Sequence, residues 1–195
     1  LLAACGHDAA PPATVDMHTA HDAEPSAWST APALPIGATQ ETAVVATGGK
    51  VYVLGGFDGD LAVVDAVQIF DPATATWTMG PALPKPVHHA NATVLDDGTI
   101  IVAGAMQTLQ FTAIGDTWTW NPATETAWTT REPMPAAVAR GAGVTGVIDG
   151  KVVVAGGLRS TGAVAEVSIY DPATNTWTAG PALPAGRDHG CGGVA

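Results

Sequence analysis

Short apolar runs, each cut off by a glycine- or proline-rich turn, recur along most of this chain. Thr42-Ala43-Val44-Val45-Ala46 is followed by Gly48-Gly49, then by Lys50-Val51-Tyr52-Val53-Leu54, which stops at Gly55-Gly56. Runs this short between breakers predict β-strands covered on both faces. After the loop Phe57-Asp58-Gly59-Asp60, a third apolar run covers 64–70. Asp71-Pro72-Ala73-Thr74 reads as a turn, because Pro72 fixes φ and the Asp71 carboxylate can accept from backbone N–H groups ahead of it. Thr76-Trp77-Thr78 makes a short fourth strand.

The same order returns near the C-terminus. Strands are predicted over 141–148, 151–155 and 164–170, with Asp149-Gly150 as a two-residue hairpin turn. Gly156-Gly157 repeats the double glycine, and Asp171-Pro172-Ala173-Thr174 leads into Thr176-Trp177-Thr178. A middle copy has drifted. Asp97-Gly98 makes its turn, 99–102 its second strand, and Gly104-Ala105 stands in for the double glycine. Ala127 is an extra residue ahead of Trp128, which predicts a bulge or a longer turn. Each copy runs into a proline stretch: Pro81-Ala82-Leu83-Pro84, Pro133-Met134-Pro135 and Pro181-Ala182-Leu183-Pro184. A partial copy, Trp28 with Pro32-Ala33-Leu34-Pro35, precedes them. The tryptophans at 28, 77, 128 and 177 are 49, 51 and 49 residues apart. A period near fifty marks a repeat architecture in which each unit is one small sheet, buried by stacking on its neighbours.

Double glycine, aromatic-Asp-Pro and tryptophan, in that order and repeated, resemble the kelch repeat. The residues that carry the resemblance are Gly55, Gly56, Asp71 and Trp77 in the first copy, Trp128 in the second, and Gly156, Gly157, Asp171 and Trp177 in the third. The resemblance implies an all-β, kelch-type β-propeller in which each repeat is one four-stranded blade. About three blades of a six- or seven-bladed ring would lie within 26–195. Residues 26–30 would form a strand that closes the ring, and the remaining blades would come from sequence beyond Ala195. A pairing of two half-rings is the alternative. The recurring tryptophan would wedge between neighbouring blades.

Charge narrows the partners. The net charge is −11 with only seven Lys or Arg, a surface that repels phosphate backbones and offers no polybasic membrane patch. Leu1-Leu2-Ala3-Ala4-Cys5-Gly6 resembles a bacterial lipobox. That resemblance implies residues 1–4 as the end of a signal peptide, Cys5 as the lipidated residue, and 5–25 as a flexible tether rich in Ala, Pro, Asp and His. The expected location is then the bacterial cell envelope, with membrane contact only through the lipid. No stretch is long and apolar enough to span a bilayer.

Polar residues at the starts of the first strands are the candidate ligand-binding rim: His88, His89, Arg140, Arg187 and His189. In the kelch family these starts lie at one rim of the ring. The loops after the second strands, at 57–60, 106–108 and 158–160, are further candidates, since contacts on rigid scaffolds come from such loops. No catalytic residue and no metal set emerges. His7, Asp8, Asp16, His18, His21 and Asp22 match no closed metal spacing, and Asp58 with Asp60 lacks the distal Glu of a Ca²⁺ loop. No cofactor is expected. Some kelch propellers are enzymes, of the galactose-oxidase-like or sialic acid mutarotase-like kind. In the first, tyrosines and histidines hold copper, but Tyr52 and Tyr170 sit at strand-consensus positions and read as core. The function expected is therefore a binding module for a protein or glycan partner, with an enzyme whose catalytic residues lie elsewhere as the alternative.

Overall fold

The structure of the protein, a computed structural model, describes residues 30–190. The expectations at Cys5 and Trp28, and most of the closing strand, lie outside the described residues. Three four-stranded antiparallel sheets follow one another along the chain. The first contains β1 (Ala43–Thr47), β2 (Lys50–Leu54), β3 (Val67–Asp71) and β4 (Thr76–Met79), hydrogen-bonded in that order. The second contains β5 (Ala92–Val94), β6 (Ile100–Gln107), β7 (Thr112–Trp120) and β8 (Thr129–Arg131). A 3₁₀ turn, Ala136–Val138, leads to β9 (Val144–Ile148) and β10 (Lys151–Ala155) of the third. A small ribbon of β11 (Leu158–Arg159) and β12 (Gly162–Ala163) comes next, and β13 (Val167–Asp171) and β14 (Thr176–Ala179) complete that sheet. Three successive four-stranded antiparallel sheets are the blade arrangement that the sequence repeat predicts.

Turn chemistry sets the register inside each blade. Gly48 and Gly49 have φ of 57° and 74°, the left-handed pair that a tight hairpin needs, and they place Val45 opposite Tyr52. Asp149 and Gly150 adopt the same pair, at 50° and 72°, between β9 and β10. The outer hairpin is held by the aspartate. Asp71 Oδ1 accepts from Ala73 N at 2.9 Å and Asp171 Oδ1 from Ala173 N at 3.0 Å, while Lys50 and Lys151 reach the other carboxylate oxygen.

Two expected boundaries change. The third strands begin at Val67 and Val167, not at 64 and 164, because the backbone ahead of them is engaged elsewhere. Val64 donates to Gly56 and accepts from Val87, and Asp65 accepts from Leu83, so this segment joins one blade to the entry of the next. The extra residue before Trp128 lengthens the turn. Asn121 and Glu125 close it with two bonds of 2.8 Å and 2.7 Å, and Trp128 still packs beside Trp120. The bulge sits elsewhere, at Gly104, where the β6–β7 register shifts.

Successive blades stack through their first strands, β1 against β5 and β5 against β9. Apolar side chains fill the space between them. Tyr52, Leu54, Val67, Leu83, Val102, Trp118 and Trp120 form one cluster between the first two blades; Ile101, Met134, Val152, Val154 and Tyr170 form the next. Burial follows from this. β6 is covered on both faces, whereas β1 alternates and the outermost strands β4, β8 and β14 are largely exposed. Asn91, fully buried, clamps the inner strands: it accepts from Gly143 N at 2.7 Å and donates to Ala103 and Arg140 carbonyls at 3.0 Å and 2.9 Å.

Candidate functional site

The entries to the blades are tied together by a single backbone ladder. His89 N donates to Glu41 O, Ala142 N to His89 O, and His189 N to Ala142 O, at 2.9, 2.8 and 2.9 Å. All four residues are left-handed, with φ of 55°, 51°, 54° and 47° for Glu41, His89, Ala142 and His189. Such a conformation costs a non-glycine residue of order 1–3 kcal/mol and persists only where the surroundings impose it. The ladder is that constraint. It also makes these four positions equivalent from blade to blade, so their side chains converge on one inner rim.

Three of the four carry chemistry. Glu41, His89 and His189 each present one ligand-type atom, and these lie within 4.8 Å of one another. His89 Nε2 is 3.0 Å from Glu41 Oε2, and the His89 and His189 rings meet edge-on at 4.9 Å. His189 Nδ1 lies 3.2 Å from Asp188 Oδ1. Behind them His88 is fully buried, with Phe57 at 4.3 Å and Phe111 at 5.1 Å from its ring.

Hydrogen bonding assigns the tautomers. His88 Nε2 sits 2.9 Å from the carbonyl of Thr108, which only accepts, so His88 carries its proton on Nε2. Its Nδ1 is then an acceptor, and His89 Nδ1, 2.5 Å away, must donate. A neutral His89 therefore turns the Nε2 lone pair toward the Glu41 carboxylate. Burial favours that neutral form, holding His89 down to about 4, with Glu41 opposing the shift and His88 and His189 adding to it. Burial lowers His88 as well.

A hollow of about 330 Å³ opens over this group, lined by Gln40, Glu41, Phe57, Leu61, His89, Leu109, Phe111 and His189. Leu61 and Leu109, from the loops after the second strands of the first two blades, stand 52 % and 57 % exposed at its edge.

Of the five rim residues expected from the sequence, the structure brings His88, His89 and His189 together. Arg140 departs from that expectation. It is fully buried and points into the third blade, where it donates to the carbonyls of Gly156, Val154, Val138 and Glu166 and to Ser168 Oγ. With no donor left for a ligand, it is a strut of the fold, and burial lowers its guanidinium to about 10. Arg187 is exposed, and among the described residues its side chain bonds only to the Gly186 carbonyl. Glu41 was missed because the first strand seemed to open at Thr42. Aligning the copies one residue earlier would have set Glu41 against His89 and His189.

The blade-motif residues lie in the framework. A Cβ on Gly55 would meet Val87 O at 2.4 Å, and one on Gly156 would meet Arg187 O at 2.5 Å. The double glycine thus lets the next blade's entry cross close by, and Gly56 N and Gly157 N donate to those same carbonyls. Trp77, Trp128 and Trp177 are each half-buried and reach back toward the preceding unit through the indole N–H. Trp77 donates to Pro32 O at 3.0 Å, Trp128 to Pro81 O at 2.9 Å and Trp177 to Glu132 O at 2.9 Å.

This repeated geometry agrees with comparison to known proteins. The model of the KLHDC2/KLHL20/DRC7 kelch-repeats domain matches residues 5–189. The chain belongs to the kelch-repeat family. It is also 34 % identical over 187 residues to the kelch-like protein terF of Aspergillus terreus, a match that covers 87 % of this chain and 40 % of that protein. The chain therefore spans less than half the length of this kelch relative. Kelch domains act in general as protein-binding modules.

Proposed function

We propose that this kelch domain binds a protein partner on the inner rim, over the hollow around His89. The observation that carries the reading is the pairing there of exposed apolar side chains, Leu61 and Leu109, with the charged or ionisable Glu41 and His189. Everything beneath them is rigidly bonded. Apolar anchors beside polar groups on a preformed surface are what a protein interface uses. The loops that supply Leu61 and Leu109 differ in sequence between blades, so they can specialise without disturbing the framework. Neither Tyr52 nor Tyr170 is placed as a galactose-oxidase-like ligand, because both are packed in the core clusters and Tyr170 Oη is bonded to Asn175 at 2.7 Å.

Affinity capture with the wild-type chain and with the Leu61→Asp/Leu109→Asp double variant tests the rim. Partners retained by the wild type and lost by the variant, at equal melting temperature, support the reading. Equal capture by both refutes it, and selective retention of glycans on a carbohydrate array would replace a protein partner with a sugar.

The lipobox-like Leu1-Leu2-Ala3-Ala4-Cys5 favours attachment of this module to a bacterial envelope through Cys5. Metabolic labelling of the full-length protein with a palmitate analogue would then mark the wild type and spare Cys5→Ala; equal labelling removes the anchor.

A further inference from the structure

The convergence of Glu41, His89 and His189 leaves an unusual arrangement of acceptors. The proton on His88 is held by the Thr108 carbonyl, which forces the His89 proton onto Nδ1. The His89 side chain is only 3 % exposed, so water does not rescue its Nε2, and that atom faces a carboxylate oxygen 3.0 Å away. Two acceptors at this distance repel each other unless something positive lies with them. His189 Nδ1 lies 3.2 Å from Asp188 Oδ1, which gives that ring nitrogen a partner of its own. Imidazoles whose far nitrogen is committed to a second partner are oriented as metal ligands are.

We propose that Glu41, His89 and His189 form a divalent transition-metal site, with two imidazoles and one carboxylate from three blade entries and with coordination positions left open toward the hollow. The donor set suits Zn²⁺ or a neighbouring first-row ion, and three protein ligands leave room for water or for a group of a bound partner. Two ligands at about 2.1 Å from one ion lie at most about 4.2 Å apart. The widest separation here, within 4.8 Å, closes with a small rotation, and the half-exposed His189 and Glu41 side chains have the room to make it. The ion would pin the entries of the first and second blades to the segment that follows the third, through residues that the backbone ladder already aligns. This site does not depend on the binding role assigned to the rim.

Calorimetric titration of the purified full chain with ZnCl₂, backed by the absorption spectrum of added Co²⁺, tests it. One ion should bind per chain. Glu41→Gln and His189→Ala, both at exposed side chains, should each weaken binding at least about tenfold while leaving the far-ultraviolet circular dichroism unchanged. Because His7, His18 and His21 could hold metal by themselves, a variant with all three changed to alanine should bind as the wild type does. The proposal is overturned if the wild type takes up no stoichiometric ion, if binding survives Glu41→Gln combined with His189→Ala, or if it disappears in the His7/His18/His21 variant.

Discussion

At the scale of single residues, two buried polar groups meet opposite fates. Arg140 makes no ion pair among the described residues, yet its guanidinium is surrounded by four carbonyls, a hydroxyl and the Met134 sulfur. Truncation strands those acceptors and opens a cavity, so Arg140→Ala should lower stability by about 3–5 kcal/mol in urea unfolding. A loss under about 1 kcal/mol would show that the strut is dispensable. His88 and His89 work the other way, since burial lowers both below the ordinary 6.5, His89 to about 4. The folded state then binds fewer protons than the unfolded one as acid is added. The stabilisation is whole above about pH 6.5 and is lost as the pH falls through about 4. Urea midpoints recorded with a chelator present should decline over that window, and a flat profile would contradict the burial of the pair.

At the scale of elements, the blades are joined by the motif residues more than they are built by them. Trp177 illustrates it. Its ring stacks at 5.1 Å on Tyr170 of its own hairpin, while its N–H crosses to Glu132. Trp177→Phe keeps the ring and removes the crossing bond, so it should cost about 0.5–1.5 kcal/mol, as for one hydrogen bond. A larger loss would mean that the indole fills a gap that phenylalanine cannot. Most strands, the turns and the three blades were legible in the sequence because short apolar runs and left-handed turn residues are local signals. The segment ahead of Val67 was not, since its apolar residues look like strand while its backbone bonds run to the next blade. Arg140 misled for a related reason. It stands like Arg187 at a blade entry, but the ladder places the rim two residues later, at Ala142, where the third blade offers no chemistry.

At the scale of the whole molecule, each blade is finished by the entry of the next. The carbonyls of Val87, Arg140 and Arg187 abut Gly55, Gly104 and Gly156 in turn. Leu83 and Met134 are sealed in the spaces between blades, whereas Leu183, at the matching place after the third, is only half-buried. Arg187 likewise matches Arg140, yet among the described residues it has no blade interior to enter and stays exposed. A further hollow of about 290 Å³ on the third blade is lined mainly by Pro135, Val138, Val167, Trp177, Ala179 and Ala182, with Glu166, Ser168 and Thr178 also at its wall. An apolar blade face of this kind, edged by unpaired strand, favours pairing with another sheet. A polypeptide of these 195 residues should therefore sediment as a dimer or larger species at micromolar concentration. Ala182→Asp combined with Val167→Asp, which places charge in that hollow, should shift it toward monomer. A wild-type chain that sediments as a monomer and melts in one sharp transition would show that the third blade is stable with its face uncovered, and that the cooperativity of the array resides in the two inter-blade clusters alone.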